Sequence, residues 1–117
     1  MYEYARAGTG DNVSGWAWSE TIGWISFNCT NTGTCGTVDY GVNIDQQGNF
    51  VGFAWSDNIG WIKFDPVGPY PGQPNNSAKL NFGNNEVSGW AKALSGGGAN
   101  SGGWDGWIKM KNHPSDG

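Results

Sequence analysis

One pattern recurs three times along this chain, and the recurrence restricts the fold more than any other feature. Residues 13–27 read VSGWAWSETIGWISF, residues 51–64 read VGFAWSDNIGWIKF, and residues 87–110 read VSGWAK, an insertion, then WDGWIKM. Trp16, Phe53 and Trp90 are spaced 37 residues apart, as are Trp24 and Trp61. Trp61 and Trp107 are 46 apart, so the third copy carries nine more residues, in the Gly-rich run LSGGGANSGG. A fixed period of this length means one supersecondary unit per copy, each too small to bury its apolar face without its neighbours.

Within each copy, apolar residues alternate with small or polar ones, a period of two that fits strands rather than helices. A further alternating segment precedes each hairpin. It is Tyr40-Gly-Val42-Asn-Ile44 in copy two, Ala78-Lys-Leu80-Asn-Phe82 in copy three and, less regularly, Tyr2-Glu-Tyr4-Ala-Arg6 in copy one. The chain therefore reads as all-β, with three repeats of about 37 residues, each a three-stranded antiparallel meander. The copies span about 2–38, 39–76 and 77–111 of a single domain covering 1–117, with a frayed tail at 112–117. Composition agrees: 21 Gly supply turns, and Leu80 and Leu94, the only leucines, are too few for helical packing. The eight Trp are then expected to supply much of the buried area. Three like copies predict pseudo-threefold closure, as in a β-prism or small barrel, which removes exposed sheet edges. A β-solenoid or open stack is the alternative.

In the first hairpin, pairing Trp16 with Ile25 sets Ala17 opposite Trp24 and Trp18 opposite Gly23; the same register pairs Phe53 with Ile62 and Trp90 with Ile108. Side chains alternate across a sheet, so Trp16, Trp18, Ile25 and Phe27 fall on one apolar face, the expected core. Gly15, Ala17, Trp24 and Ser26 fall on the other. A Trp among small residues can lie flat as a platform, and the C–H face of a pyranose packs on such a ring while polar neighbours take its hydroxyls. Trp24, Trp61, Trp104 and Trp107, with Lys63 and Lys109 beside them, are therefore candidate ligand-binding residues, and Trp104 and Trp107 are expected to be the most exposed. The competing expectation is that Trp24 and Trp61 cover bare Gly backbone or pack on another sheet, since large Trp residues are mostly buried. Lys92 stands where copies one and two have Trp18 and Trp55, and Asp105 replaces Ile22 and Ile59. These charges mark either a site or an edge that faces water.

Cys29 and Cys35 lie six apart in FNCTNTGTCGT. A metal site would need more ligands than the lone His113 adds, and the CxxC redox spacing is absent. A local disulfide is the expected state, and it points to an oxidising compartment; the alternative is two reduced loop thiols. Gly15-Trp-Ala-Trp-Ser19, Ile22-Gly-Trp-Ile-Ser-Phe27, the bracketed Cys29 and Cys35, and Tyr40-Gly-Val-Asn-Ile44 together resemble a Trp-rich repeat found in predicted exported proteins of uncultivated, small-genome bacteria. The closing VSGWAKAL…GGWDGWIKM is similar to that family's last copy. The resemblance covers nearly the whole chain and implies secretion or surface display within a larger protein. It brings no activity with it and assigns no residue a role.

Several chemistries are not expected. No GxSxG, P-loop or HExxH pattern occurs, and no cofactor is implied. Glu20 and Asp57 occupy matching hairpin turns, where acids serve as turn formers, rather than a facing pair such as a glycosidase needs. No carboxylate-dense loop suited to calcium is present, although Asp11, Asp45 and Asp57 lie beside Asn or Gln. Sequons at Asn12, Asn28 and Asn75 are weak signals in an Asn-rich chain. The net charge is −4 without a basic cluster, which argues against nucleic acid or an anionic membrane as partner. No apolar run approaches the ~20 residues of a membrane-spanning helix. No signal peptide is seen, so an exported form is expected to be a mature or excised piece with Met1 as an added start. The expected function is that of a non-catalytic extracellular or cell-surface recognition module, for carbohydrate or cell wall, through the repeated Trp platforms. Two alternatives stand beside it. One is a self-associating surface-layer, stalk or filament block. The other is an adhesin that binds a surface protein through loops 28–38, 65–77 and 93–103.

Overall fold

The computed structural model describes residues 11–20, 22–96 and 104–110. The expected first strand of copy one, most of the Gly-rich insertion, and the tail at 112–117 with His113 lie outside the described residues. The described chain is all-β. Its strands are β1 (Trp16–Ser19), β2 (Gly23–Ser26), β3 (Val42–Ile44), β4 (Phe50–Ser56), β5 (Gly60–Lys63), β6 (Lys79–Asn81), β7 (Glu86–Ser88), β8 (Trp90–Ala93) and β9 (Trp107–Lys109). A single 3-10 turn at Cys29–Asn31 opens the loop after β2, with Asn28 as its cap.

Seven strands form one antiparallel sheet in the order β1-β2-β4-β5-β8-β9, with β3 paired to the first half of β4. The three hairpins therefore lie side by side in chain order. Their joins repeat as the sequence does: Ile25 opposite Ser56 between β2 and β4 recurs 37 residues on as Ile62 opposite Ala93 between β5 and β8. The sheet curls into a half-barrel, and the closed prism expected from three like copies is not seen among the described residues. Part of the pairing goes instead to the separate β6–β7 ribbon, which hydrogen-bonds back to the start of β4: Phe50 N–H donates to the Ala78 carbonyl at 3.0 Å and Leu80 N–H to that of Gly48 at 2.7 Å.

The hairpin register differs by one residue from the expected one. Trp16 faces Ser26, Ala17 faces Ile25, Trp18 faces Trp24 and Ser19 faces Gly23; copy two repeats this with Phe53 opposite Lys63 and Trp55 opposite Trp61. Copy three takes the same register, with Trp90 opposite Lys109, and in copies one and two the turn chemistry fits it. The Ser56 hydroxyl accepts from the Asn58 and Ile59 N–H groups at 3.2 Å, and Ser19 Oγ accepts from the Ile22 N–H at 3.2 Å. A serine that closes the turn leaves three residues in the loop, which then needs a Gly of positive φ at its end. Gly60 fills that position at φ 82°.

A one-residue shift moves a whole strand's side chains to the opposite face. The core therefore takes Ala54 and Ala91 from the outgoing strands with Ile62 and Phe64 from the return strand, packed with Val42, Phe50 and Ala78. Ile25, Phe27 and Ile108 pack against the same cluster. Trp16 and Trp18, expected in the core, are instead 50% and 60% exposed. The strand that carries Phe50, Gly52 and Ala54 on its inner side is thin, and β3 crosses it closely. Phe53 N–H donates to the Gly41 carbonyl at 3.0 Å, and a Cβ on Gly52 (φ 102°) would stand 2.2 Å from that oxygen. Gly89, 37 residues on, meets the Ser77 carbonyl at the same 2.2 Å.

Candidate functional site

The register collects the large aromatics of every copy on the outward face. In copy one, Trp24 takes Trp16 edge-on at 6.3 Å and 78° and Trp18 at 5.1 Å and 57°. In copy two, Trp61 takes Phe53 at 6.3 Å and 78° and Trp55 at 4.8 Å and 65°. In copy three, Trp107 takes Trp90 at 6.3 Å and 81°. Lys92, in the place of Trp18 and Trp55, sets its ammonium 4.9 Å from the centroid of the same Trp107 ring. A cation thus replaces the third ring, since the π face attracts either a ring edge or an ammonium. Lys63 lies over Phe53 at 5.7 Å and Lys109 over Trp90 at 6.0 Å.

Ser26 stands where the other copies carry Lys63 and Lys109, and its small size admits the disulfide loop. Tyr40 OH donates to Ser26 Oγ at 2.8 Å, Ser26 Oγ donates to the Asn28 carbonyl at 3.0 Å, and the Asn31 amide donates to Ser26 Oγ at 3.1 Å. The Asn31 amide also donates to the Gly15 carbonyl, and its oxygen accepts from the Gly15 N–H at 3.1 Å. Cys29 and Cys35 form the expected disulfide, with Cα atoms 5.0 Å apart, and Cys29 is buried. This anchoring sets the Tyr40 ring edge-on against Trp61 at 5.3 Å and 70°.

Tyr40 and Trp61 together form a wall between two hollows. On one side is an open cleft of about 800 Å³ whose lining includes the rings of Tyr40, Phe53 and Trp61 and the charged groups of Asp39, Lys63 and Asp65. On the other is a smaller one of about 460 Å³ between the disulfide loop and Trp55, reached by Thr32, Thr34 and Asp57. Asp65 also accepts from the Gly52 N–H at 3.2 Å, and Asp57 accepts from the Trp55 indole N–H at 2.8 Å. Asp65 is thereby held by the backbone and Asp57 by the neighbouring indole.

The sequence-derived candidates divide accordingly. Trp61 and Lys63 meet in the larger cleft. Trp24 is 58% exposed within the copy-one triad. Trp107 and Trp104, expected to be the most exposed, are both half-buried. Trp107 is covered by Tyr70 at 5.7 Å, by Trp90 and by Lys92, and Lys109 lies apart over Trp90. Sequence reasoning did not include Tyr40, Phe53, Asp39 or Asp65. The Ser in place of Lys at position 26 was the one local signal that the disulfide loop folds over the sheet there. No protein-family model, curated protein or solved structure matches the chain.

Proposed function

We propose that this domain is a non-catalytic recognition module that binds carbohydrate in the cleft beside Trp61. The observation that supports this reading most directly is the makeup of that cleft, in which three aromatic rings share one concave surface with Asp39, Lys63 and Asp65. Ring faces take the C–H side of a sugar, and carboxylate and ammonium groups take its hydroxyls. A few convergent polar groups in an otherwise apolar hollow are the usual makeup of a ligand site. The disulfide and the resemblance to exported repeats favour an extracellular or cell-surface setting. A glycan array probed with the folded domain tests the reading. The expected result is a saturable, sugar-specific signal that quenches Trp fluorescence, is lost in Trp61→Ala, and is weakened in Lys63→Ala, a half-buried residue outside the core cluster. A blank array from a domain with native circular dichroism would refute it.

A further inference from the structure

The three outward triads are alike in geometry but not in cover. Trp61 of copy two packs T-shaped against the Tyr40 ring at 5.3 Å and 70°. Trp107 of copy three packs T-shaped against the Tyr70 ring at 5.7 Å and 66°, and the Trp90 indole N–H donates to the backbone carbonyl of Pro74 at 3.0 Å. In both copies the covering tyrosine comes from the irregular segment ahead of that copy's hairpin. Trp24 of copy one has the same flanking ring at the same 6.3 Å and 78°, yet Trp16, Trp18 and Trp24 are 50%, 60% and 58% exposed. This is the largest cluster of exposed aromatics among the described residues. Contiguous exposed apolar surface of this kind marks an interaction site.

We infer that the Trp16–Trp18–Trp24 face is a docking site for a tyrosine-bearing, Gly/Pro-rich segment of another polypeptide. The partner's Tyr ring would pack T-shaped against Trp24, as Tyr40 and Tyr70 do against Trp61 and Trp107 within the chain. One of its carbonyls would accept from the Trp16 indole, as Pro74 does from Trp90. The chemistry is that of the intramolecular contact, and the site continues the same sheet face. A second copy of this chain fits the face less well. Three half-exposed indoles offer on the order of 400 Å², so symmetric pairing through them would bury about 800 Å² in total, short of the ~1,200 Å² at which stable interfaces begin. A single extended segment needs no more than the face provides.

The test uses the full chain and a synthetic peptide with the sequence of residues 65–76, DPVGPYPGQPNN, which carries the Tyr70 contact. Titration followed by Trp fluorescence and by heteronuclear NMR is expected to show saturable binding, with shifts on Trp16, Trp18 and Trp24. Affinity is expected to fall about tenfold or more for the Tyr→Ala peptide and for Trp24→Ala, the order of one lost ring contact and its burial. A native far-ultraviolet circular dichroism spectrum of Trp24→Ala guards against a simple folding defect. Equal binding of the Tyr→Ala peptide, or no binding at millimolar peptide, overturns the proposal. So does dimerisation that Trp24→Ala abolishes, which would make a second copy the occupant. Peptide binding seen only after removal of residues 1–10 would assign the face to the chain's own Tyr2 and Tyr4, and also overturns it. None of these outcomes depends on whether the Trp61 cleft takes sugar.

Discussion

Replacing Gly52 with alanine probes the close crossing of β3 over β4, and the size of the effect follows from the local geometry. Gly52 has φ 102°, and an added Cβ would sit 2.2 Å from the Gly41 carbonyl oxygen, where real Cβ atoms keep beyond 3.0 Å. The strained φ alone costs about 1–2 kcal/mol. To clear the methyl, β3 must retreat by roughly 0.8 Å, given the steepness of short-range repulsion. That retreat stretches the 3.0 Å bond from Phe53 N–H to the same carbonyl. Loss of this bond, with the carbonyl left unsatisfied beside the core, adds about 1–3 kcal/mol. Gly52→Ala should therefore cost about 2–5 kcal/mol, a large part of the ~5–15 kcal/mol that holds a domain of this size together. Gly60→Ala is the control. Its φ is 82°, and the nearest atom to an added Cβ is a Trp55 ring carbon at 4.0 Å. It should show the φ strain alone, about 1–2 kcal/mol. Urea unfolding of the oxidised proteins, read by far-ultraviolet circular dichroism, would measure both. At a slope of about 1.5 kcal/mol/M, a 2 kcal/mol difference moves the midpoint by more than 1 M. Equal losses within about 0.5 kcal/mol would refute the close crossing.

Two further outcomes follow from the register and the disulfide loop. Trp18→Ala should cost no more than about 1 kcal/mol because the ring is 60% exposed, whereas Ile62→Ala, 1% exposed, should cost about 3 kcal/mol; the reverse order in urea midpoints would restore the other register. Reduction of the Cys29–Cys35 bond, which closes a loop of six residues' separation, should lower stability by about 2 kcal/mol. It should also weaken sugar binding more than it weakens capture of the tyrosine peptide, because the loop positions Tyr40 beside the cleft, whereas the ring contacts of Trp24 are with Trp16 and Trp18. Equal effects on both ligands, measured by parallel titrations with and without reductant, would separate Tyr40 from the cleft.

Much of the architecture was legible along the chain. The 37-residue period marked the copies, period-two alternation marked the strands, and the joins between hairpins keep that period in Ile25 opposite Ser56 and Ile62 opposite Ala93. The paired cysteines showed a disulfide, and Trp24 and Trp61 were set on the face opposite Ile25 and Ile62, with both a platform and a packed role left open for them. The candidate cleft was half visible. Trp61 and Lys63 stood out because they recur, whereas Asp39 and Asp65 belong to loops that differ between copies, and Tyr40 stood at the head of an alternating segment that marked it as strand and not as site.

Local sequence thus determined which residues form strands, where they turn and how often the unit recurs, because backbone propensity and turn chemistry act over a few residues. The tertiary structure alone decided which face is inside. Each outgoing strand offers two candidates, a Trp-bearing face and a Gly/Ala face, and hydrophobicity favours burying the Trp. The register is shifted by one in all three hairpins, with serine-closed turns in the first two, and the Ile and Phe residues of the return strands then need a thin partner that only Gly and Ala supply. The covering of the Trp faces was decided at longer range still. Tyr40 reaches Trp61 only because Ser26, on another copy's strand, leaves room for its hydroxyl, and nothing within a few residues of either ring specifies that contact.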